Sequence, residues 1–313
     1  MTSNKKNQDK LVIITGPTAC GKTSMAVKLA NDFNGEIISA DSRQIYKGMD
    51  IGTGKDLDEY EINNKKIPYH LIDILNPMEN YSVHNFQKDF SDAYDIINKK
   101  NKIPILCGGT GLYIESVLLD YDLSNKPPPN ENLRQELSSY SKDELLNMLS
   151  KISNSEKMSK MVLITKKQII RNIEIIKNNE PLSGFKLTPR NDIALIIGLE
   201  INRELIRKKI KIRLEERLDE GMIDEVKKLI DNGMPINRLE YFGLEYRFIG
   251  EYLKGSIKKD EMVESLKTSI RKFAKRQKTW FRRMEKRGIK INWVSYNDYD
   301  RILKISKKYI SES

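Results

Sequence analysis

Apolar positions along the first hundred or so residues fall into short continuous runs separated by helically spaced ones. Leu11–Thr15 (LVIIT) is a continuous run, as a parallel strand buried on both faces requires, and Lys22–Asn31 then spaces Met25, Val27, Leu29 and Ala30 as a helix does. Further strand patterns follow at Glu36–Ala40 (EIISA), Tyr69–Leu75 (YHLIDIL) and Ile103–Tyr113 (IPILCGGTGLY), the last running through a glycine turn into a new helix. Strand and helix signals in alternation predict an α/β fold with a parallel sheet flanked by helices.

Past Asp120 the texture changes. Tyr121–Leu133 (YDLSNKPPPNENL) is a proline-rich connector, and Leu133–Lys177 is polar, helically patterned and free of Gly and Pro, which reads as a helical insertion. After the turn-rich Asn178–Asn191, another strand pattern, Asp192–Ile201 (DIALIIGLEI), returns the chain to the sheet. The expected domains are therefore 1–120 (first part of the core), 121–191 (helical insertion) and 192–313 (return to the core sheet, then C-terminal helices). In Asn202–Asn232 the stripe Leu205, Ile206, Ile210, Leu214, Leu218, Ile223, Val226 and Leu229 predicts a long helix broken near Gly221. Ile289–Val294 (IKINWV) is expected to close the sheet as an edge strand.

Between the first strand and helix, Gly16, four residues, then Gly21-Lys22-Thr23 match G-x-x-x-x-G-K-[ST], a phosphate loop in its proper strand–helix context. Backbone N–H groups and the helix N-terminus would face phosphates there, Lys22 adding a point charge and Thr23 a hydroxyl for Mg2+. The fold expected is thus that of a P-loop NTPase-like parallel sheet carrying a helical insertion domain. The motif alone leaves open whether the phosphate belongs to a hydrolysed nucleotide, a kinase substrate or a diphosphate leaving group.

Charge is concentrated. The formal net charge is +11, and Lys267–Lys290 carries eleven Lys or Arg against one acid, Glu285, so this segment alone supplies +10. One stripe of it, Ile270, Phe273, Ala274, Gln277, Phe281 and Met284, suits packing, while Arg271, Lys275, Lys278, Arg282 and Lys286 form a basic one. With Trp280 and Phe281 interleaved for base stacking, the segment points to a nucleic-acid partner. The two cysteines, Cys20 and Cys107, lack a His or second Cys at ligand spacing, which argues against a metal site or disulfide framework. The N-terminal ten residues lack an apolar signal core, and no run reaches the length of a membrane span, so a cytoplasmic protein is expected.

In open α/β sheets ligands bind at the carboxyl ends of the strands. Asp41, after Glu36–Ala40, is placed beside the phosphate loop, close to any leaving group and its attacking partner, and in a hydrolase or kinase it would hold Mg2+; the competing reading is a turn cap made with Ser42. Asp73 in YHLIDIL reads as a core or edge contact within a strand, and His70 and His84 as structural.

Taken together, five segments resemble the tRNA dimethylallyltransferases (tRNA isopentenyltransferases, the IPP transferase family). They are GPTACGKT (Gly16–Thr23), DSRQIYKGMDIGTGK (Asp41–Lys55), HLIDILNPMENYSVHNF (His70–Phe86), GGTGLY (Gly108–Tyr113) and FAKRQKTWFRR (Phe273–Arg283), in family order. The resemblance implies transfer of a dimethylallyl group from dimethylallyl diphosphate to N6 of adenosine 37, 3′ of the anticodon in tRNA, with Mg2+ and no nucleotide hydrolysis. It implies Asp41, Thr23 and Arg271 as catalytic residues, Arg271 helping to hold the diphosphate. The phosphate loop, Gly16, Pro17, Thr18, Ala19, Cys20, Gly21, Lys22 and Thr23, becomes the diphosphate site, with Thr23 the metal ligand. The tRNA contacts implied are Asp41, Ser42, Arg43, Gln44, Thr110, Arg171, Arg247, Lys275, Arg276, Gln277, Lys278, Thr279, Trp280 and Arg282, with the insertion contributing. A monomer binding the tRNA anticodon stem-loop is expected. Two departures stand out: Gln168–Glu174 (QIIRNIE) has Gln168 where many members carry an arginine, and Glu245-Tyr246-Arg247 replaces Gly-Tyr-Arg. The alternatives are an adenylate isopentenyltransferase, a P-loop kinase or ATPase, and a non-catalytic RNA-binding protein.

Overall fold

The computed structural model describes residues 10–119, 130–155, 158, 161, 163, 165–178 and 194–311. The chain divides into two compact units, residues 1–120 with 189–313, and residues 121–188.

The larger unit is built on a six-stranded sheet. Its strands are β1 (Leu11–Thr15), β2 (Gly35–Ser39), β5 (Tyr69–His70), β6 (Ile103–Gly108), β7 (Ala194–Glu200) and β8 (Asn292–Ser295), ordered β5-β2-β6-β1-β7-β8. Each neighbouring pair is parallel. Every residue of β1, β2 and β6 is buried, which is why these strands read as continuous apolar runs rather than alternating ones. A small hairpin of β3 (Glu61–Ile62) and β4 (Lys65–Lys66) stands apart from the sheet.

Helices α1 (Lys22–Asp32), α2 (Val83–Lys99) and α3 (Gly111–Leu118) follow β1, β5 and β6. After the sheet resumes with β7 come α7 (Arg203–Asp219), α8 (Met222–Asp231), α9 (Leu244–Leu253), α10 (Lys259–Lys286) and α11 (Tyr299–Ser311). The break between α7 and α8 falls at Gly221, whose φ of 98° is a left-handed conformation that costs glycine little. In α10 the buried residues Met262, Leu266, Ile270, Ala274, Gln277, Phe281 and Met284 recur every three or four positions, the single seam of a half-covered helix. Fully buried Glu115 of α3 fastens that helix by accepting from Arg283 at 2.8 Å and from Arg287.

Two strand expectations change. YHLIDIL supplies only the two residues of β5: Leu71 and Asp73 take positive φ (62° and 55°), turning the chain away, and the Asp73 carboxylate pairs with the buried Lys55 ammonium. Past His70 the backbone bonds to residues 44 and 45 instead, Asp73 N–H donating to Gln44 O at 3.1 Å and Leu75 N–H to Ile45 O at 3.0 Å. The closing strand lies at Asn292–Ser295, slightly beyond the stretch expected.

The smaller unit contains α4 (Glu131–Ser138), α5 (Lys142–Ile152) and α6 (Lys166–Lys177) around Leu137, Leu145, Leu149, Ile169, Ile170 and Ile173. Gln168 has a local task there. It completes a capping box, its side-chain oxygen accepting from Thr165 N–H at 2.9 Å while its own N–H reaches Thr165 Oγ1 at 3.3 Å. Arg171 and Arg134 both bond the buried Glu174 carboxylate. The connector before residue 130 and the stretch 179–191 lie outside the described residues.

Candidate active site

A cavity of about 770 Å³ opens at the carboxyl ends of β1, β2 and β6. Its floor is the phosphate loop. Gly16 leaves no room for a side chain, since a Cβ would stand 2.9 Å from Cys20 Sγ and 3.1 Å from Leu199 O. Gly21, at φ 84°, then starts α1 without any side-chain cap. The first N–H groups of α1 are consequently left to a ligand. Thr18, Ala19, Gly21, Lys22 and Thr23 line the cavity, and the Lys22 ammonium donates to Pro17 O at 2.9 Å. Cys20 is buried beneath the loop and Cys107 lies at the end of β6. Burial raises both thiol pKa values, that of Cys107 to about 12, so both stay protonated at neutral pH and neither is a ready nucleophile.

Asp41, Ser42, Arg43 and Gln44 form the wall next to β2. One Asp41 oxygen accepts from Arg43 N–H at 2.9 Å, and Ser42 N–H donates to Thr110 Oγ1 at 3.1 Å. The turn-cap geometry is therefore real, and it holds the Asp41 carboxylate at the cavity wall. A carboxylate has acceptor capacity well beyond this one bond.

The opposite wall comes from α7. Arg213 donates from Nη2 to Thr18 Oγ1 at 2.6 Å, placing a guanidinium against the phosphate loop. Burial, then the neighbouring Arg217, lower its pKa to about 10, which leaves it cationic at neutral pH. Buried Arg217 bonds the Asp56 carboxylate at 3.2 Å and fits only because position 54 is glycine, where a Cβ would lie 1.8 Å from its Nη2. Glu59 and Glu245 also face the cavity. Burial raises both carboxyl pKa values, helped at Glu59 by Asp56.

From α10, Ile270, Phe273, Arg276, Gln277 and Trp280 complete the lining. Gln277 accepts from Thr18 N–H at 2.8 Å and donates to Gly109 O at 3.0 Å, so a buried amide from the basic helix joins the phosphate loop to the β6 turn. The Trp280 ring lies so close to Gly111 that a Cβ there would be 2.3 Å away, and the Arg283 guanidinium covers the ring at 3.8 Å. Leu112, Ile212 and Phe273, all exposed, form an apolar lip at the mouth.

Other expected residues lie outside the cavity lining. Arg271 is exposed and does not line the cavity; the arginines brought to the phosphate loop and its flank are Arg213 and Arg217. Gly16, Pro17 and Cys20 support the loop without lining the cavity. Gln277 is turned inward, away from a surface role. Lys278 donates to Ile201 O at 2.9 Å, while Lys275, Thr279 and Arg282 are exposed outside the cavity. Arg247 also lies outside the lining, its guanidinium 4.2 Å from the Phe248 ring centroid, and Glu245 takes the cavity position. Arg171 belongs to the smaller unit. Of the eleven cations in Lys267–Lys290, Lys267, Lys278, Arg283 and Arg287 are partly buried and bonded within the protein; Arg271, Lys272, Lys275, Arg276, Arg282, Lys286 and Lys290 are exposed. The sequence does carry a signal for the missed arginines: Arg213 and Arg217 sit in the same i, i+3, i+4, i+7 register as Ile210 and Leu214.

A family model described as IPP transferase matches residues 44–284, and one described as isopentenyl transferase matches residues 9–69. The chain is 48% identical over 301 residues to tRNA dimethylallyltransferase 1 of Azobacteroides pseudotrichonymphae, covering 95% of this chain and 96% of the relative. It is 49% identical over 286 residues to tRNA dimethylallyltransferase 2 of Bacteroides fragilis, covering 91% and 92%. The crystal structure of the full-length tRNA isopentenylpyrophosphate transferase from Bacillus halodurans superposes with a TM-score of 0.70 at 33% identity, over 97% of this chain and 98% of that one. A eukaryotic dimethylallyltransferase acting on tRNA shares the fold, with a TM-score of 0.78 at 24% identity, over 97% of this chain and 80% of that one. By sequence and by fold, the chain belongs to the IPP transferase family.

Proposed function

We propose that this protein transfers the dimethylallyl group of dimethylallyl diphosphate to N6 of adenosine 37, on the 3′ side of the tRNA anticodon, releasing diphosphate. The observation that carries the reading is one cavity with a cationic phosphate cradle on one side, Lys22 and Arg213, and the Asp41 carboxylate on the other. As the allylic C–O bond breaks, its electron pair and the growing negative charge pass to the diphosphate. The α1 N–H groups, Lys22 and Arg213 would stabilise that charge. The N6 amine forms the new C–N bond and gives up a proton, for which Asp41 is the acceptor. General-base assistance of this kind is worth roughly 10²–10⁴-fold.

Among the described residues no group of three His, Cys, Asp or Glu could hold a metal. Thr23, which lines the cradle, would hold a magnesium ion through its hydroxyl, with the diphosphate and water supplying the other ligands, as phosphate-borne Mg2+ commonly requires. Bound so, it would neutralise charge on the leaving group.

An adenine stacked in an anticodon loop must leave its stack to enter such a cavity, at a cost of a few kcal/mol. The exposed cations of α10 supply backbone attraction that a free mononucleotide acceptor would not need. Among the described residues no helix is long and apolar enough to cross a membrane. The test is incubation with unmodified tRNA, AMP, radiolabelled dimethylallyl diphosphate and Mg2+, followed by separation of the AMP and digestion of the tRNA. Label at N6 of the anticodon-loop adenosine is expected; label only in added AMP, or none, overturns the proposal.

A further inference from the structure

Glu225 of α8 does not line the cavity, yet its carboxylate is filled from the loop that does. One oxygen accepts from Asp50 N–H at 2.7 Å and Ile51 N–H at 2.8 Å; the other accepts from Gly52 N–H at 3.0 Å and Tyr246 O–H at 2.7 Å. Three successive backbone N–H groups converging on one anion form a nest, and all four acceptor directions of the carboxylate are in use. Gly52 lies flat on the buried Tyr246 ring, where a Cβ would approach to 2.6 Å.

The loop so held ends in residues that touch the chemistry. Gly52, Thr53 and Gly54 line the cavity. Gly54 O accepts from the Gln44 amide at 2.8 Å, and the same residue leaves the space that Arg217 fills. Gln44 in turn accepts from Ser39 Oγ at 3.0 Å, at the strand end that carries Asp41. A shift of Gly54 would therefore disturb the acceptor wall and the arginine wall together.

We propose that Glu225 is a positioning residue for prenyl transfer: its carboxylate fixes the Asp50–Gly54 loop, and through Gly54 it sets Gln44 and Arg217. This rests on the transfer reading above. Misplacement of a catalytic wall by about 1 Å typically costs up to about 10²-fold in rate. The experiment is single-turnover transfer at saturating tRNA and donor, whose rate constant does not depend on the fraction of enzyme folded. Glu225→Ala is expected to lower that constant at least about tenfold. Because the variant leaves three N–H groups and a hydroxyl around a vacated carboxylate site, formate should restore much of the rate and chloride at equal ionic strength should not. Glu225→Gln keeps the volume but turns an NH2 toward donors, so it should be slow and deaf to formate. A near wild-type rate in either variant, or a loss in Glu225→Ala that formate leaves untouched, overturns the proposal. Amide exchange gives a second reading independent of turnover: Asp50, Ile51 and Gly52 should lose at least about tenfold protection in Glu225→Ala while β1 keeps its own. Unchanged exchange at those amides also overturns it. Absence of transfer by the wild-type protein would instead strike the function proposed above, leaving the exchange result to decide the role of Glu225.

Discussion

Arg213→Ala set beside Arg271→Ala separates the arginine that the fold brings to the phosphate loop from the one that the resemblance assigned to the diphosphate. The Arg213 guanidinium donates to Thr18 of the phosphate loop at 2.6 Å inside the cavity, whereas Arg271 is exposed outside it. A charge-assisted hydrogen bond is worth about 1.5–3 kcal/mol, and truncating one partner of a desolvated charge pair costs about 2–5 kcal/mol. Taking about 2–4 kcal/mol for the loss against a diphosphate, kcat/KM for the prenyl donor should fall about 30- to 1,000-fold in Arg213→Ala. The Ki of inorganic pyrophosphate should rise in step. Arg213→Lys keeps a charge but loses the planar fork, so it should fall between. Arg271→Ala should change donor kcat/KM less than about twofold, and at most reduce the salt slope of tRNA binding by about one unit. The assay is steady-state kinetics with varied donor at saturating tRNA, with pyrophosphate competition. A silent Arg213→Ala, or an Arg271→Ala that raises pyrophosphate Ki tenfold, would refute the assignment.

Asp41→Asn should lower kcat by at least roughly 10²-fold while tRNA and donor affinity stay within a few-fold; an unchanged single-turnover rate removes Asp41 from proton transfer. Gln277→Leu should leave Thr18 N–H and Gly109 O without their partner, so pyrophosphate affinity and thermal stability should fall together; unchanged pyrophosphate binding by calorimetry would show that the phosphate loop holds its shape unaided. Glu36 is buried, and although burial opposes ionisation, hydrogen bonds from Lys102, His70 and Lys100 lower its pKa from 4.5 to about 2. Its contribution, at most about 3 kcal/mol, is present above the unfolded pKa and lost as pH falls from about 5 through about 2. Urea unfolding of Glu36→Gln should therefore show a flatter stability profile across that window, and a profile parallel to wild type would show that the carboxylate does not drive the acid loss.

What the sequence disclosed depends on how far each residue's reasons extend along the chain. The phosphate loop is legible because its glycines, lysine and threonine lie within eight residues and between a buried strand and a helix. β1, β6 and β7 are legible because burial on both faces leaves no polar position to interrupt them. Tyr69–Leu75 misleads because the partners that hold it after His70, the carbonyls of Gln44 and Ile45 and the Lys55 ammonium, are announced by no local pattern. Gln277 falls on the packing stripe of its helix, yet what it packs for is not legible there, because its donor, Thr18 N–H, and its acceptor, Gly109 O, lie far away in sequence. Arg213 and Arg217 interrupt an apolar register, and that anomaly is visible, but only the folded sheet shows that the register borders a cavity rather than solvent.

The position of β1 between β6 and β7 also bears on how this chain is made. As residues leave the ribosome, the phosphate-loop strand can pair with β6 once Ile103–Gly108 has emerged, yet its other edge stays unpaired until Ala194–Glu200 follows. Synthesis at about 5–20 residues per second keeps that apolar edge waiting for seconds while the whole 121–188 unit is threaded out, long enough for that unit, which has a core of its own, to fold first. The nascent protein is thus expected to acquire its inserted unit before its phosphate loop has a complete sheet behind it, so a chaperone that shields strand edges should matter most in that interval.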